Sequence, residues 1–445
     1  MKQKSLRKEL IVLTWPIFVE CVLFMLIGII DVTMLSRYSD NATGAVGIVN
    51  SLINMFNIFF SIITAGTSII CVQHIGAGKP KLENQKLIGT SLIFNTFIGV
   101  IFSILIFFFH SPLLHFMNTE KEFWDYSRSY LLIVGSTIFL QAIMNTFTAA
   151  LRSYSQTKSC MYVTVLVNLL NIMGNFCLIY GNFGLPRLGV TGAAISTVIS
   201  KVIGTLILGF LCGKKVMEHF KPSYLKPFPF YHLKNVLKLG TPAGGESIAY
   251  NGAKLVITII LTYLGTAAVN ANAYLNSISS VIYIFAVATG QGTAIIVGRL
   301  VGEKKEKEAY HLCFSSFFIS LGITALASIL VLLFHYPILR IFTSNSEIIT
   351  LCRNALIVDL FLELGRCSNV VIINCLRAAG DVNFPVIMGI ISMWGIGVVF
   401  SYVLGIQLRL GIVGVWIALA ADEIFRGIIM FFRWKMCKWH NKAIV

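Results

Sequence analysis

Long apolar runs separated by short polar stretches set the pattern of this chain. They fall at about 9–36, 44–73, 87–110, 126–149, 160–181 and 189–212, and again at about 239–264, 269–298, 312–335, 350–375, 385–406 and 411–432. Each run is about 20 residues or longer, enough to cross a hydrocarbon core of ~30 Å at 1.5 Å per residue. Water is absent at that depth, so each run is expected to be a helix that satisfies its own backbone. The pattern predicts an all-α membrane protein with twelve transmembrane helices.

The second set of six runs repeats the first. A shift of 226 positions lays Pro16 on Pro242, Glu20 on Glu246, Leu35 on Leu261, Ala45 on Ala271 and Gly66-Thr67 on Gly292-Thr293. Slightly different shifts then pair Leu151-Arg152 with Leu376-Arg377, and Leu188-Gly189 and Gly192 with Leu410-Gly411 and Gly414. The expected architecture is two pseudo-symmetric six-helix lobes, 1–220 and 221–445. Six is even, so both lobes enter the membrane from the same side and the repeat is parallel. The joint falls in the segment 213–238, where Lys221, Pro222, Pro227 and Pro229 suit an extended linker. Two copies of one membrane unit imply a cavity between them, the usual construction of a transporter.

Composition agrees with this reading. Hydrophobic residues make up 56% of the chain and charged residues 12%, against about 25% charged in a soluble domain. A net charge of +16 raises nucleic acid as a partner, but its distribution argues against one. Of the 35 lysines and arginines, 24 lie before residue 9 and in the segments 74–86, 151–159, 213–238, 299–311, 376–384 and 433–445. Six (Arg37, Lys121, Arg128, Arg187, Arg340 and Arg409) lie in the opposite loops, and five (Lys201, Lys254, Arg353, Arg366 and Arg426) within runs. This bias places both termini in the cytoplasm of a multi-pass protein of the cell membrane. The basic side is expected to touch anionic lipid heads. The first run exceeds a signal-peptide core and lacks a small-residue cleavage site, so it is read as a span. Ten cysteines without a Cys-x-x-Cys pair suggest neither a disulfide frame nor a zinc site.

Charges inside the runs are costly, at least ~2.5–3.5 kcal/mol each on insertion scales. The acids are Glu20 and Asp31 in the first run, Glu246 in the seventh, Asp359 and Glu363 in the tenth, and Asp422 and Glu423 in the twelfth. Asp31 breaks the repeat, because its counterpart is Ile257. A carboxylate there suits a group that binds and releases a proton or a sodium ion; the alternative is an acid locked to neighbouring amides as a packing device. Glu20 and Glu246 obey the repeat, which fits architecture as well as attraction of organic cations. Glu246 follows Gly240-Thr-Pro-Ala-Gly-Gly245, suggesting close backbone approach or a broken helix, and Lys254 is one possible partner. Asp359, Glu363 and Arg366 share one stripe, where Arg366 neutralises Glu363 locally in the structural reading. Asp422, Glu423 and Arg426 read the same way. Asn168, Asn171 and Asn175 form a polar stripe on the fifth run, of the kind that glues helices together.

Other chemistry finds no support. Gly76-Ala-Gly-Lys79 lacks the spacing of a phosphate loop, and neither a His-Glu-x-x-His nor a Gly-x-Ser-x-Gly motif occurs. No catalytic site, metal site or cofactor is expected. Without a nucleotide-binding domain, the energy source is expected to be an ion gradient.

Together, Pro16-x-x-x-Glu20 leading to Ile30-Asp31-Val-Thr-Met34, Ala45-Val-Gly47, Gly66-Thr67 with Gly76-Ala-Gly-Lys-Pro80, Leu188-Gly-Val-Thr-Gly-Ala-Ala-Ile-Ser-Thr197 and Leu376-Arg-Ala-Ala-Gly-Asp381 resemble the multidrug and toxic-compound extrusion (MATE) transporters over nearly the whole chain. The resemblance implies a monomeric secondary antiporter that exports amphipathic organic cations in exchange for H⁺ or Na⁺. It assigns ion coupling to Asp31 with Asn175 and Thr197, and leaves Glu246, Glu20, Asp359 and Glu363 for cation attraction. Some members carry a second acid one turn after the asparagine, where this chain has Ile179; that departure favours a proton or an altered sodium site. The alternatives are a lipid-linked sugar flippase of the wider superfamily, whose cavities tend to hold several cations, and an intramembrane enzyme.

Overall fold

The computed structural model describes residues 2–444, which are helical with no strand among them. Twelve long helical segments follow the twelve runs. They are Lys2–Ser36, Asp40–Gly76, Lys81–Phe116, the bent pair Lys121–Gly135 with Phe139–Ser153, Thr157–Tyr180, Val190–Lys215, Phe230–Tyr263, Thr266–Gly302, Glu306–Leu333, Ser346–Ala378, Asn383–Gln407 and Gly411–Lys435. They are called the first to the twelfth helix. Met1 and Val445, the outer ends of the two expected lobes, lie outside the described residues.

Among the described residues, eight helices are long and apolar enough to cross a membrane, or nine with the bent pair counted as one span. The other three long segments are the seventh, tenth and twelfth helices. These hold Glu246, then Asp359, Glu363 and Arg366, then Asp422, Glu423 and Arg426. Their mean hydropathy is lowered by the very residues that need a structural explanation.

The helices gather into two compact units. One comprises Val19–Cys71 and Lys79–Thr241; the other takes in the chain up to Phe18, Val72–Gly78 and the chain from Pro242 onward. Each unit buries its own core, and the two cores use equivalent positions of the repeat. Leu35, Ala42, Ala45 and Val49 are buried in the first, and Leu261, Ala268, Ala271 and Leu275 in the second. Burial of the same small and branched side chains at a constant shift is what two copies of one packing scheme require.

Local chemistry explains the irregular places. The fourth helix bends by 48° without a proline. A π-helical turn at Leu131–Gly135 precedes the bend, and the Ser136 and Thr137 hydroxyls donate to the carbonyls of Leu132 and Ile133. Hydroxyls bonded back four residues and a π-turn are both known causes of bends. The stretch from Gly240 to Gly245 is not a break: the seventh helix runs unbroken through Pro242. Close approach does occur at Gly240, whose missing side chain leaves room for the Ile62 carbonyl. The fifth helix ends at Gly181, whose φ of 77° suits a residue without a Cβ.

Candidate functional site

Asp31 lies near the Ser36 end of the first helix, half-buried. Its Oδ1 accepts a hydrogen bond of 2.7 Å from Asn175 Nδ2 of the fifth helix. The same amide lies 3.3 Å from Asn171 Oδ1, and Asn171 Nδ2 donates to Thr197 Oγ1 of the sixth helix at 3.2 Å. Thr197 in turn donates to the Ala193 carbonyl at 2.9 Å. The three residues Asp31, Asn175 and Thr197 are therefore joined in one chain, with Asn171 as its middle link. Asn175 and Asn171 are buried.

Two glycines set this register. Gly174 packs directly on Ser196, and Gly192 on the Leu178 carbonyl, so the fifth and sixth helices approach closely on either side of the asparagines. Ser196 Oγ also donates to the Asn171 carbonyl at 2.9 Å. Tyr180 Oη donates to the Met34 carbonyl at 2.7 Å, which ties the fifth helix to the first one turn beyond Asp31.

Among the described residues, no lysine or arginine pairs with Asp31; its one hydrogen-bond partner is the Asn175 amide. Asn175 Oδ1 is buried without a partner. Tyr130 of the fourth helix, also buried, lies within electrostatic reach of Asp31. Sequence reasoning missed Tyr130, because an aromatic residue in an apolar run carries no signal beyond packing. A cleft of about 670 Å³ opens between the first and fifth helices at the residues that follow Asp31, which does not itself line it. Thr33, Met34, Met173, Phe176 and Tyr180 line it, with Arg37 at its rim.

Of the other expected residues, Glu20, Glu246 and Glu363 lie in ion pairs. Glu20, buried, is bound by Arg152 from the last turn of the fourth helix. Glu246 is bound by Arg377 from the last turn of the tenth. These pairs are repeat copies of each other. Arg377, rather than Lys254, holds Glu246, and Lys254 sits over the Tyr250 ring at 6.0 Å. The clue was in the sequence: both the acid and the arginine survive the repeat shift.

Glu363 pairs with Arg366, and Arg366 lies 3.7 Å from Glu423. Arg426 reaches both Asp422 and Glu423, at 2.8 and 2.9 Å. Asn369 Nδ2 donates to Glu423 at 2.9 Å, and Ser279 Oγ donates to Asp359 at 2.7 Å. The tenth and twelfth helices thus share one network of three buried acids and two arginines, with Asp359 held separately by Ser279 of the eighth helix. Among the described residues, no group of histidines, cysteines and acids is arranged to hold a metal ion.

Comparison with known proteins agrees with this architecture. The MatE family model matches residues 16–177 and again 242–403, two windows offset by the same 226 positions as the repeat. An uncharacterized transporter of Bacillus subtilis, YisQ, is 41% identical over 97% of this chain and 95% of its own length. A probable multidrug resistance protein NorM of Thermotoga maritima is 28% identical over 99% and 95%. Among solved structures, a variant of the Vibrio cholerae MATE transporter VcmN superposes with a TM-score of 0.91 at 17% identity, covering 99% of both chains. A MOP superfamily transporter from Pyrococcus furiosus superposes with a TM-score of 0.87 at 20% identity, covering 97% of this chain and 95% of that one. With the family model matched in both halves and the fold shared end to end, this chain belongs to the MATE family of multidrug transporters.

Proposed function

We propose that the chain is a secondary antiporter that exports amphipathic organic cations in exchange for H⁺ or Na⁺, with Asp31 as the coupling residue. The observation that carries this reading is the state of Asp31: a carboxylate inside a spanning helix, held by one amide and, among the described residues, paired with no cation. A carboxylate in that setting gains a partner when a proton or sodium ion arrives. Neutralising it weakens the charge-assisted bond to Asn175, and the change passes through Asn171 to Thr197. Binding at one place is thereby felt on the first, fifth and sixth helices. The apolar cleft between the first and fifth helices suits the body of an amphipathic substrate.

Cation attraction falls first to Asp31 in this reading. The charges of Glu20 and Glu246 are offset by Arg152 and Arg377, so these acids fit positioning better than attraction. Asp359 and Glu363 keep a secondary role. The lobes are taken as 1–220 and 221–445, the termini as cytoplasmic and the working form as a monomer.

The test is purified protein in liposomes. An ethidium-like dye should be moved when a pH or sodium gradient is imposed, with no response to ATP. Transport that requires ATP and ignores both gradients would overturn the proposal.

A further inference from the structure

The last turn of the second helix belongs to a different unit from the rest of it. Its residues up to Cys71 fall with Lys79–Thr241, whereas Val72–Gly78 falls with the chain from Pro242 onward. Any motion of one unit against the other must therefore bend this helix near Cys71 or lift Val72–Gly78 from its seat. The seat is the end of the eighth helix, and it is built on the repeat. Gly76 packs on the Arg299 carbonyl, and its repeat copy Gly302 packs on the carbonyl of Gln73, the copy of Arg299. Gly298 packs in the same way on its own copy, Val72. A Cβ at Gly76 or at Gly302 would run into backbone, so the two helices cross as closely as backbones allow.

Different fastenings hold the two copies. Arg299 Nη1 donates to Glu9 Oε1 of the first helix at 2.7 Å, in an ion pair that water reaches, its side chains 24% and 36% exposed. Gln73 is fully buried and uses both ends of its amide. Its Nε2 donates to the Ala378 carbonyl at 2.8 Å, and its Oε1 accepts from the Ile444 backbone N–H at 2.9 Å. Ile444 belongs to the segment after the twelfth helix, which folds back onto the unit. Trp439, buried, stacks on Trp434 with ring centroids 4.2 Å apart and donates from Nε1 to the Trp434 carbonyl at 3.2 Å. His440 Nδ1 lies 3.2 Å from Glu306 Oε2. The Lys442 carbonyl fills the place where Gly380, at a φ of 94°, lacks a side chain. The segment is thus fixed at Trp439, His440 and Lys442 before it reaches Gln73.

We propose that Gln73 is a positioning residue of the transport cycle: it clips the segment Met436–Ile444 to the second helix, and this face of the protein opens only when the clip lets go. A transporter works by letting its repeats rock, so that a central site faces each side in turn. Opening at this face requires Val72–Gly78 to leave the eighth helix. That step strands the Gln73 amide, the Ala378 carbonyl and the Ile444 N–H, three polar groups that need partners. Glu9 and Arg299 are already wetted and lose little when parted. The neutral clip, rather than the ion pair, therefore sets how readily this face opens. The proposal rests on alternating access alone, and on neither Asp31 nor the coupling ion.

Thr14 of the first helix can report the opening. It is buried against Gly292, which lies about 10 Å further along the eighth helix than Arg299. Thr14→Cys in the full chain is treated with a polar maleimide in detergent. Mass spectrometry follows modification of the new thiol beside that of Cys352, a buried native cysteine that contacts the Ala271 carbonyl. Gln73→Met, and a chain ended after Cys437, should each speed labelling of the new thiol about tenfold and leave Cys352 unchanged. Combining the two should add no more than about twofold, because both undo one contact. Glu9→Gln should stay within about twofold of the parent. An unchanged rate in either single variant overturns the clip. So does a parallel rise at Cys352, the sign of general loosening, or a larger effect from Glu9→Gln than from Gln73→Met. Because labelling needs neither dye nor gradient, failure of the clip is distinguishable from failure of antiport.

Discussion

In the carboxy-terminal half, Arg366 and Arg426 gather Glu363, Asp422 and Glu423 across the tenth and twelfth helices, with Asp359 held by Ser279 beside them. In the amino-terminal half, among the described residues, Asp31 has the Asn175 amide alone and Lys201 pairs with no acid. Both halves keep the Glu–Arg pair inherited from the repeat, Glu20 with Arg152 and Glu246 with Arg377. The halves therefore differ in what was added to a shared frame. One half added charges that compensate each other, which is how buried ions become tolerable. The other added charges of opposite sign that do not meet, which suits groups reserved for something outside the protein.

The sharpest way to break this comparison is to open the compensated side. Arg426 donates to Asp422 and Glu423 and is itself buried. Arg426→Met leaves two acids one residue apart with Arg366, Ser392 and Asn369 as their remaining partners. The expected cost is about 3–5 kcal/mol of stability, as for other broken buried pairs, read as a lower melting temperature in detergent. Adding Asp422→Asn and Glu423→Gln should recover most of it. A neutral Arg426→Met would mean that the network is not structural.

The uncompensated side should respond in the opposite way. Asp31→Asn keeps an oxygen to accept the Asn175 bond, so stability should change by no more than about 1 kcal/mol. Gradient-driven dye transport should fall about a hundredfold or more, equivalent to roughly 2.7 kcal/mol, while dye binding persists. Wild-type transport with the same gradient dependence would move coupling to the carboxy-terminal acids, with Glu246, Asp359 and Glu363 tested next.

These contrasts were partly legible in the sequence. The long apolar runs place all twelve helical segments, because a membrane leaves the backbone no alternative. Asp31 stands out through the loss of its repeat partner, whereas Asn175 and Thr197 came from the family resemblance and are joined only through Asn171. What escaped was pairing at a distance. Arg152 and Arg377 read as loop charges by position, although their side chains reach back from a last helical turn to a buried acid. The link from Arg366 to Glu423 crosses between helices, and spacing rules see only partners on the same helix. The bend in the fourth helix depends on hydroxyl bonds to its own backbone, which leave no mark in hydropathy.

The smallest expected effect sharpens the comparison within the shared frame itself. Glu20 and Glu246 occupy equivalent positions, and Arg152 and Arg377 are about equally exposed, at 24% and 25%. The acids differ: the Glu20 side chain is 1% exposed and that of Glu246 is 17% exposed. Glu246 also stands in the acid-rich unit, within electrostatic reach of Arg426. Water reaches the Glu246 side chain more than that of Glu20 and screens its pair more strongly, so removing the charge costs less there. Glu20→Gln should therefore destabilise by about 2 kcal/mol and Glu246→Gln by about 1 kcal/mol, both below a fully buried pair because each guanidinium keeps some access to solvent. Paired melting curves in the same detergent would show the order. If Glu246→Gln is the more damaging of the two, the carboxy-terminal pair belongs to the network rather than to the repeated frame, and the two halves differ more deeply than one set of added charges.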